Sequence, residues 1–206
     1  MRIERVAPSQ HIKGRVLVFL EGGECLKITE QELLDFDLRA GGELDGPELE
    51  RLKASAGLSG TRAAAAGLIG RRAMSRRDLE KKLREKGASA DEARYAAEWL
   101  ESIGALDDAQ YAAALVRYYS GKGYGRRRIQ EKLYEKGVPR ELWEDALDQM
   151  PENDGQIDDF LTGKLRGRAP DEKEKRRLTN ALMRRGFPWS DIKAAWERLG
   201  DRIEED

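Results

Sequence analysis

The chain has 206 residues, 37% charged and 39% hydrophobic, and its 38 Lys and Arg against 39 Asp and Glu leave a formal net charge of −1. That balance excludes a thick apolar core and a protein that holds polyanions by overall charge, and no apolar run approaches the roughly 18–20 residues of a membrane span. One cysteine, Cys25, and one histidine, His11, exclude an intramolecular disulfide framework, a zinc or His-based metal cluster and a Cys–His nucleophile, and they fit a cytoplasmic, reducing compartment.

The first ten residues carry Arg2, Glu4 and Arg5 and lack the apolar stretch of a secretion signal. Arg2 to Val6 is a candidate strand. Arg15 to Leu20, then Glu21-Gly-Gly-Glu24, then Cys25 to Ile28 reads as strand, tight turn, strand, because paired glycines supply the positive φ of a two-residue hairpin loop. Thr29 with Glu32 predicts a capped helix carrying Leu33 and Leu34. Pro47 to Ala56 reads as another short helix, and Gly57 to Thr61 as a joint. Residues 1–60 are therefore expected to form a small α+β head with a β-hairpin.

Beyond the joint the sequence repeats itself. Leu79-Glu-Lys-Lys-Leu83-Arg-Glu-Lys-Gly87, Ile129-Gln-Glu-Lys-Leu133-Tyr-Glu-Lys-Gly137 and Leu178-Thr-Asn-Ala-Leu182-Met-Arg-Arg-Gly186 align, with their glycines 50 and 49 positions apart. Each has an apolar pair at i and i+4, a basic residue just before the glycine, and a glycine where a helix C′ residue takes positive φ. A further helical pattern follows each one: Tyr95, Trp99, Leu100 and Ile103; Trp143, Ala146, Leu147 and Met150; Ile192, Trp196 and Leu199. Ser75 with Asp78 and Ser89 with Glu92 mark helix starts, and Pro139 suits a first turn. Leading helices are supplied by Leu68-Ile69, by Tyr111, Leu115 and Tyr118, and by Ile157, Phe160, Leu161 and Leu165.

The expected fold is mainly α: an elongated tandem array of three-helix repeats at 61–107, 108–155 and 156–206 behind the head. A compact globule of this length has a radius of gyration near roughly 17 Å, and the array is expected to exceed it.

Charge is placed unevenly. Residues 71–87 carry eight Lys and Arg against three Asp and Glu, residues 122–136 six against two, and residues 164–185 nine against three. The second helix of each repeat is thus basic and its surroundings acidic. Repeats stacked in register would align these helices into a cationic stripe suited to phosphates or to an acidic polymer surface. The candidate binding residues are Arg71, Arg72, Arg76, Arg77, Lys81, Lys82, Arg126, Arg127, Arg128, Lys132, Arg176, Arg177, Arg184 and Arg185. Solvated helix faces carry such residues too, so each one reads equally well as exposed and unengaged.

No group reads as catalytic, and no cofactor or metal is expected. Gly121-Lys-Gly-Tyr-Gly125 lacks the Walker spacing and joins two helices, which makes it a flexible connection. Asp107-Asp108 and Asp158-Asp159 read as helix starts stabilised by capping and dipole. Trp99, Trp143 and Trp196 have core spacing and are less suited to base stacking.

Several of these stretches together resemble the RecX family: Ser75 to Gly87, Gly104-Ala-Leu106-Asp107-Asp108-Ala-Gln-Tyr111-Ala112, Lys122-Gly-Tyr-Gly125, and Ile129 to Gly137. The likeness covers about 63–200, and the third repeat departs from it at Pro170-Asp-Glu-Lys. The resemblance implies a bacterial cytoplasmic regulator that binds the RecA–DNA filament, typically in its groove, and the chain is expected to be a monomer. It implies suppressed ATP hydrolysis, strand exchange and co-protease activity in recombination and the SOS response. Two other readings stay open: a direct binder of single- or double-stranded DNA, and a helical scaffold for an unrelated protein.

Overall fold

The structure, a computed structural model, describes residues 1–150 and 153–205, with side chains over 1–150 and 155–200. The end of the third predicted repeat, Asp206, lies outside the described residues. The chain forms two compact units, Met1–Leu106 and Asp107–Asp206.

The first unit begins with an antiparallel sheet in the order β1 (Ile3–Pro8), β2 (Arg15–Leu20), β3 (Cys25–Thr29). Gly22 and Gly23 both take positive φ, +92° and +86°. Phe19 pairs with Cys25, however, and the Leu20 amide donates to the Glu24 carbonyl at 2.8 Å, so the loop runs over Glu21, Gly22 and Gly23 and is one residue longer than the expected two. Alternation sends Val16, Val18 and Leu20 to one face, beside Ile3 and Ile28 of the flanking strands, and Leu38, Leu44, Leu49 and Leu52 pack with them in one core. Helix α1 (Glu30–Asp35) starts on the predicted Thr29–Glu32 capping box. Leu33 packs against this core, but Leu34 is 72% exposed, because adjacent residues on a helix do not share a face.

Helix α2 (Gly46–Ile69) runs unbroken for 24 residues from the head into the helices beyond. The predicted joint at Gly57–Thr61 is therefore a helix interior. The glycine there serves close approach: a Cβ on Gly57 would lie 2.3 Å from Glu92 Oε1.

Helices α3 (Arg76–Glu85) and α4 (Ala90–Ser102) pack on the second half of α2 around Ala65, Met74, Leu79, Leu83, Ala93, Ala96, Ala97, Leu100 and Leu106. The stripe predicted on α4 is rotated. Tyr95 and Ile103 are exposed, and the alanines face α2 instead. Small residues win that face because the partner helix is itself rich in Gly and Ala, so the backbones come close.

The second unit holds six α-helices among the described residues. In its first half, α5 (Asp108–Gly121), α6 (Arg126–Glu135) and α7 (Trp143–Leu147, entered through a 3₁₀ turn, Arg140–Leu142, after Pro139) enclose Leu115, Val116, Ile129, Leu133 and Leu147. In the second half, α8 (Asn153–Leu165), α9 (Glu172–Arg184) and α10 (Trp189–Glu205) enclose Ile157, Leu161, Leu165, Leu178, Leu182, Phe187 and Ile192. Each fully buried leucine or isoleucine contributes on the order of 1.5–3 kcal/mol. Tyr118, placed with the buried face of α5, is exposed.

Capping follows the sequence at Ser75, Ser89 and Asp107, whose side chains accept the amides of Asp78, Glu92 and Gln110. Asp158 does not cap: it lies inside α8 and grips Arg198 of α10 at 2.8 Å. Trp143 and Trp196 pack against their cores, each donating its indole N–H, to the Val138 carbonyl at 3.0 Å and to Thr179 Oγ1 at 2.9 Å. Trp99 packs against the core of the first unit with the Arg62 guanidinium over its ring.

Candidate functional site

Helices α3, α6 and α9 turn their apolar pairs inward: Leu79 and Leu83, Ile129 and Leu133, Leu178 and Leu182. The remaining surface of each carries the predicted cations. Counting back from Gly87, Gly137 and Gly186 sorts them by what they touch.

Eleven positions before the glycine stand Arg76, Arg126 and Lys175, and all three are used internally. Arg76 bridges α3 to α4, reaching Glu101 at 2.7 Å, Glu98 at 3.4 Å and its own-helix Glu80 at 2.9 Å. The hydrogen bond to Glu80 raises its proton affinity most, burial opposes this, and the charges of Glu101, Glu80 and Glu98 add to the rise. Arg126 does the same in the second unit, reaching Glu144 at 3.0 Å and Asp148 at 3.5 Å. Lys175 sits over the Trp196 ring at 5.8 Å. Arg76 and Arg126 thus clamp the second helix of a trio to its third, which weakens their candidacy for a partner.

One position later stand Arg77, Arg127 and Arg176. All three are exposed, and none has an acidic partner among the described residues. Arg184 is likewise exposed without an ion pair there. The other candidates are partly compensated on their own helices. Lys81 faces Glu85 at 3.8 Å, Lys82 faces Asp78 at 3.6 Å, Lys132 faces Glu135 at 2.6 Å, Arg177 faces Glu174 at 3.2 Å, and Arg128 pairs with Glu131. Exposed pairs of this kind contribute about 0–1 kcal/mol, so a partner's acid can displace them.

Arg185 lies against the Phe160 ring at 4.6 Å and its carbonyl accepts the Gly125 amide at 2.8 Å, so it belongs to the packing of the second unit. Gly125, in the segment expected to be a flexible connection, is buried there. Arg71 and Arg72 lie in the turn after α2, exposed, with Arg72 3.5 Å from Asp78. Lys86 and Lys175 were not among the candidates. The repeat alignment marks both, Lys86 as the basic residue before Gly87 and Lys175 as the counterpart of Arg76 and Arg126.

No group of three or more His, Cys, Asp and Glu residues among the described residues is placed to hold a metal ion, and no helix there is long and apolar enough to cross a membrane.

Comparison with known proteins gives these residues a context. Residues 107–147 match the family model described as RecX, second three-helix domain, and residues 161–196 the model described as RecX, third three-helix domain. A regulatory protein RecX of Pseudomonas putida is 36% identical over 133 residues, spanning 64% of this chain and 85% of the relative. One from Xanthomonas axonopodis pv. citri is 35% identical over 134 residues, spanning 64% and 82%. A crystal structure of a regulatory protein RecX superposes with a TM-score of 0.73 at 22% identity, covering 95% of this chain and 98% of the other. RecX from Lactobacillus salivarius does so at 0.64 and 22% identity, covering 70% and 97%.

Proposed function

The chain belongs to the RecX family of regulatory proteins, and from that premise we propose that it is a non-catalytic, monomeric regulator that binds the RecA–DNA filament and lowers its ATP turnover, strand exchange and co-protease activity in DNA repair and the SOS response. The observation that carries this reading is the recurrence of one exposed arginine without an acidic partner among the described residues, Arg77, Arg127 and Arg176, at the same place in each repeat. A filament presents the same surface again and again. A chain with a repeated cation can engage successive subunits, and tethered weak contacts add within the limits of geometry. Occupying the groove would obstruct duplex DNA or a repressor substrate. Association would be steered by charge and weakened by salt.

The test is ATP turnover by a preformed cognate filament on single-stranded DNA. Wild-type chain should inhibit it, and R77A/R127A/R176A should inhibit at least tenfold more weakly with unchanged helicity, a loss of about 1.4 kcal/mol or more. Folded wild-type protein that neither binds nor inhibits would remove the reading and leave a scaffold for another protein. Equal binding to naked DNA without inhibition would favour the direct DNA-binding alternative.

A further inference from the structure

A shallow cup in the first unit has Leu68 and Met74 as its apolar floor and Arg71, Arg72, Lys82 and Lys86 around it, with Glu85 the one carboxylate. Local folding builds it. After α2 the chain turns so that the amides of Arg71 and Arg72 donate back to the Leu68 carbonyl at 3.3 and 3.4 Å. That turn sets both arginines beside the end of α3, which supplies Lys82 and Lys86.

The cations are under-compensated. Asp78 is shared between Arg72 and Lys82 at 3.5 and 3.6 Å, beyond close hydrogen-bonded contact. Glu85 is drawn toward Lys81 at 3.8 Å. Arg71 and Lys86 have no acidic partner among the described residues. The C-terminal dipole of α3, about half a negative charge, opposes an anion here, but the four cations outnumber the two carboxylates that face them, Glu85 and Asp78, by enough to outweigh it.

We propose that this cup seats a backbone phosphate of a nucleic-acid strand. A phosphate accepts from several directions at once and suits a ring of Arg and Lys donors, whereas a protein carboxylate offers two oxygens in one plane. The apolar floor takes the adjoining sugar. The second repeat keeps a reduced version, with Lys122, Lys132 and Lys136 at the positions of Arg72, Lys82 and Lys86. There Lys122 bonds to the Tyr118 hydroxyl, Lys132 holds Glu135 at 2.6 Å, and glycine replaces Arg71, so the seat is specific to the first repeat. It does not depend on the filament reading, because it predicts binding to a bare strand.

The experiment is fluorescence anisotropy of a short labelled single-stranded oligonucleotide with the full chain at several salt concentrations. R71A/K86A, both exposed and with helicity checked by circular dichroism, should bind at least tenfold more weakly. Its salt dependence should be shallower by about 0.7 in log–log slope for each phosphate no longer neutralised. K13A, an exposed lysine elsewhere, should bind like wild type, and inorganic phosphate at constant ionic strength should compete. Wild-type protein that fails to bind at low salt, or R71A/K86A with unchanged affinity and slope, would overturn the proposal. So would equal losses in R71A/K86A and K13A. Loss of filament inhibition with unchanged oligonucleotide binding would also overturn it, by showing that the cup faces an acidic protein surface. Inhibition by wild type together with failure here would leave the filament reading standing.

Discussion

The amide of Gly125 donates to the carbonyl of Arg185 at 2.8 Å, and two residues on the Arg127 amide reaches the Gly186 carbonyl at 3.3 Å. The start of α6, which has no side-chain cap, is thereby closed by the end of α9. Orphan donors of one helix meet orphan acceptors of another, and the two dipoles meet with opposite sign. Only glycine fits on either side. A Cβ at Gly125 would lie 2.5 Å from the Gly186 carbonyl carbon, and one at Gly186 would lie 2.3 Å from the Arg128 nitrogen at a φ of +91°. G125A and G186A should each lower stability by about 1–3 kcal/mol in chemical denaturation, because backbone must move. G87A carries a similar φ of +98° but meets open space, and should cost less than G186A. Equal costs for the two would show that the contact between α6 and α9 is not tight in solution.

Neighbouring arginines of α3 should behave oppositely. Arg76 ties α3 to α4 through Glu98 and Glu101, whereas Arg77 beside it has no acid partner among the described residues. R76A should destabilise the first unit by up to about 1 kcal/mol, a figure limited by partial exposure and solvent screening. R77A should change stability by less than about 0.5 kcal/mol and affect only partner binding. Melting curves with filament inhibition, run on both variants, separate the roles. A stability loss in R77A larger than in R76A would reverse the assignment.

Glu32 is the anchor of the head. It is 6% exposed, with Oε1 accepting from Ser55 Oγ at 2.6 Å and Oε2 from the Thr29 amide at 2.7 Å and Ser59 Oγ at 3.1 Å. Ser59 in turn accepts from Arg15 at 2.8 Å. Burial pushes the carboxyl's pKa up, but the hydrogen bonds from Ser55, Thr29 and Ser59 outweigh it and hold the pKa below its ordinary 4.5. The sign follows from proton binding. Below 4.5 the unfolded chain takes up a proton before the folded one, so this stabilisation is present above that value and lost as pH falls through the lower folded one. E32Q should cost about 1–3 kcal/mol near neutral pH, since the amide cannot satisfy all these donors. It should also flatten the acid limb of the stability curve. A steeper acid limb in E32Q than in wild type would contradict the assignment.

Most of this architecture is legible in the residues because its signals are local. The positive φ of Gly22 and Gly23, the caps at Thr29, Ser75, Ser89 and Asp107, and the glycine after each basic helix all depend on a few neighbouring positions, and each appears as read, although the hairpin loop is one residue longer than expected. What is not legible depends on a distant partner. The alanine face of α4 looks weaker than Tyr95 and Ile103 until the Gly- and Ala-rich α2 is known to lie against it. The clamp role of Arg76 and Arg126 depends on acids 18 to 25 residues away, and Gly125 reads as a loop residue until Gly186 is found beside it. Charge counting finds the basic helices but cannot tell an arginine that faces inward from its neighbour that does not.

Helix α2 provides the sharpest contrast between a local signal and a tertiary one. Gly57, Gly60 and Gly67 invite a break, yet the helix continues, held by Leu49 and Leu52 in the head core and by Thr61 and Ala65 among the helices beyond. A methyl group on Gly60 would meet nothing within 4 Å, so alanine fits there without displacement. Gly in a helix interior costs roughly 0.5–1 kcal/mol relative to Ala, through backbone entropy of the unfolded chain. G60A should therefore raise stability by about that amount, or by about 1–4 °C in melting temperature for a chain of this size. G57A should gain less, because its methyl displaces Glu92, whose other oxygen accepts the Ser89 amide at 2.8 Å and completes the cap of α4. A chain in which 57–61 is a true joint in solution would show the reverse. Alanine at 60 would then bring no gain, and the amides of these residues would exchange as fast as those of a loop.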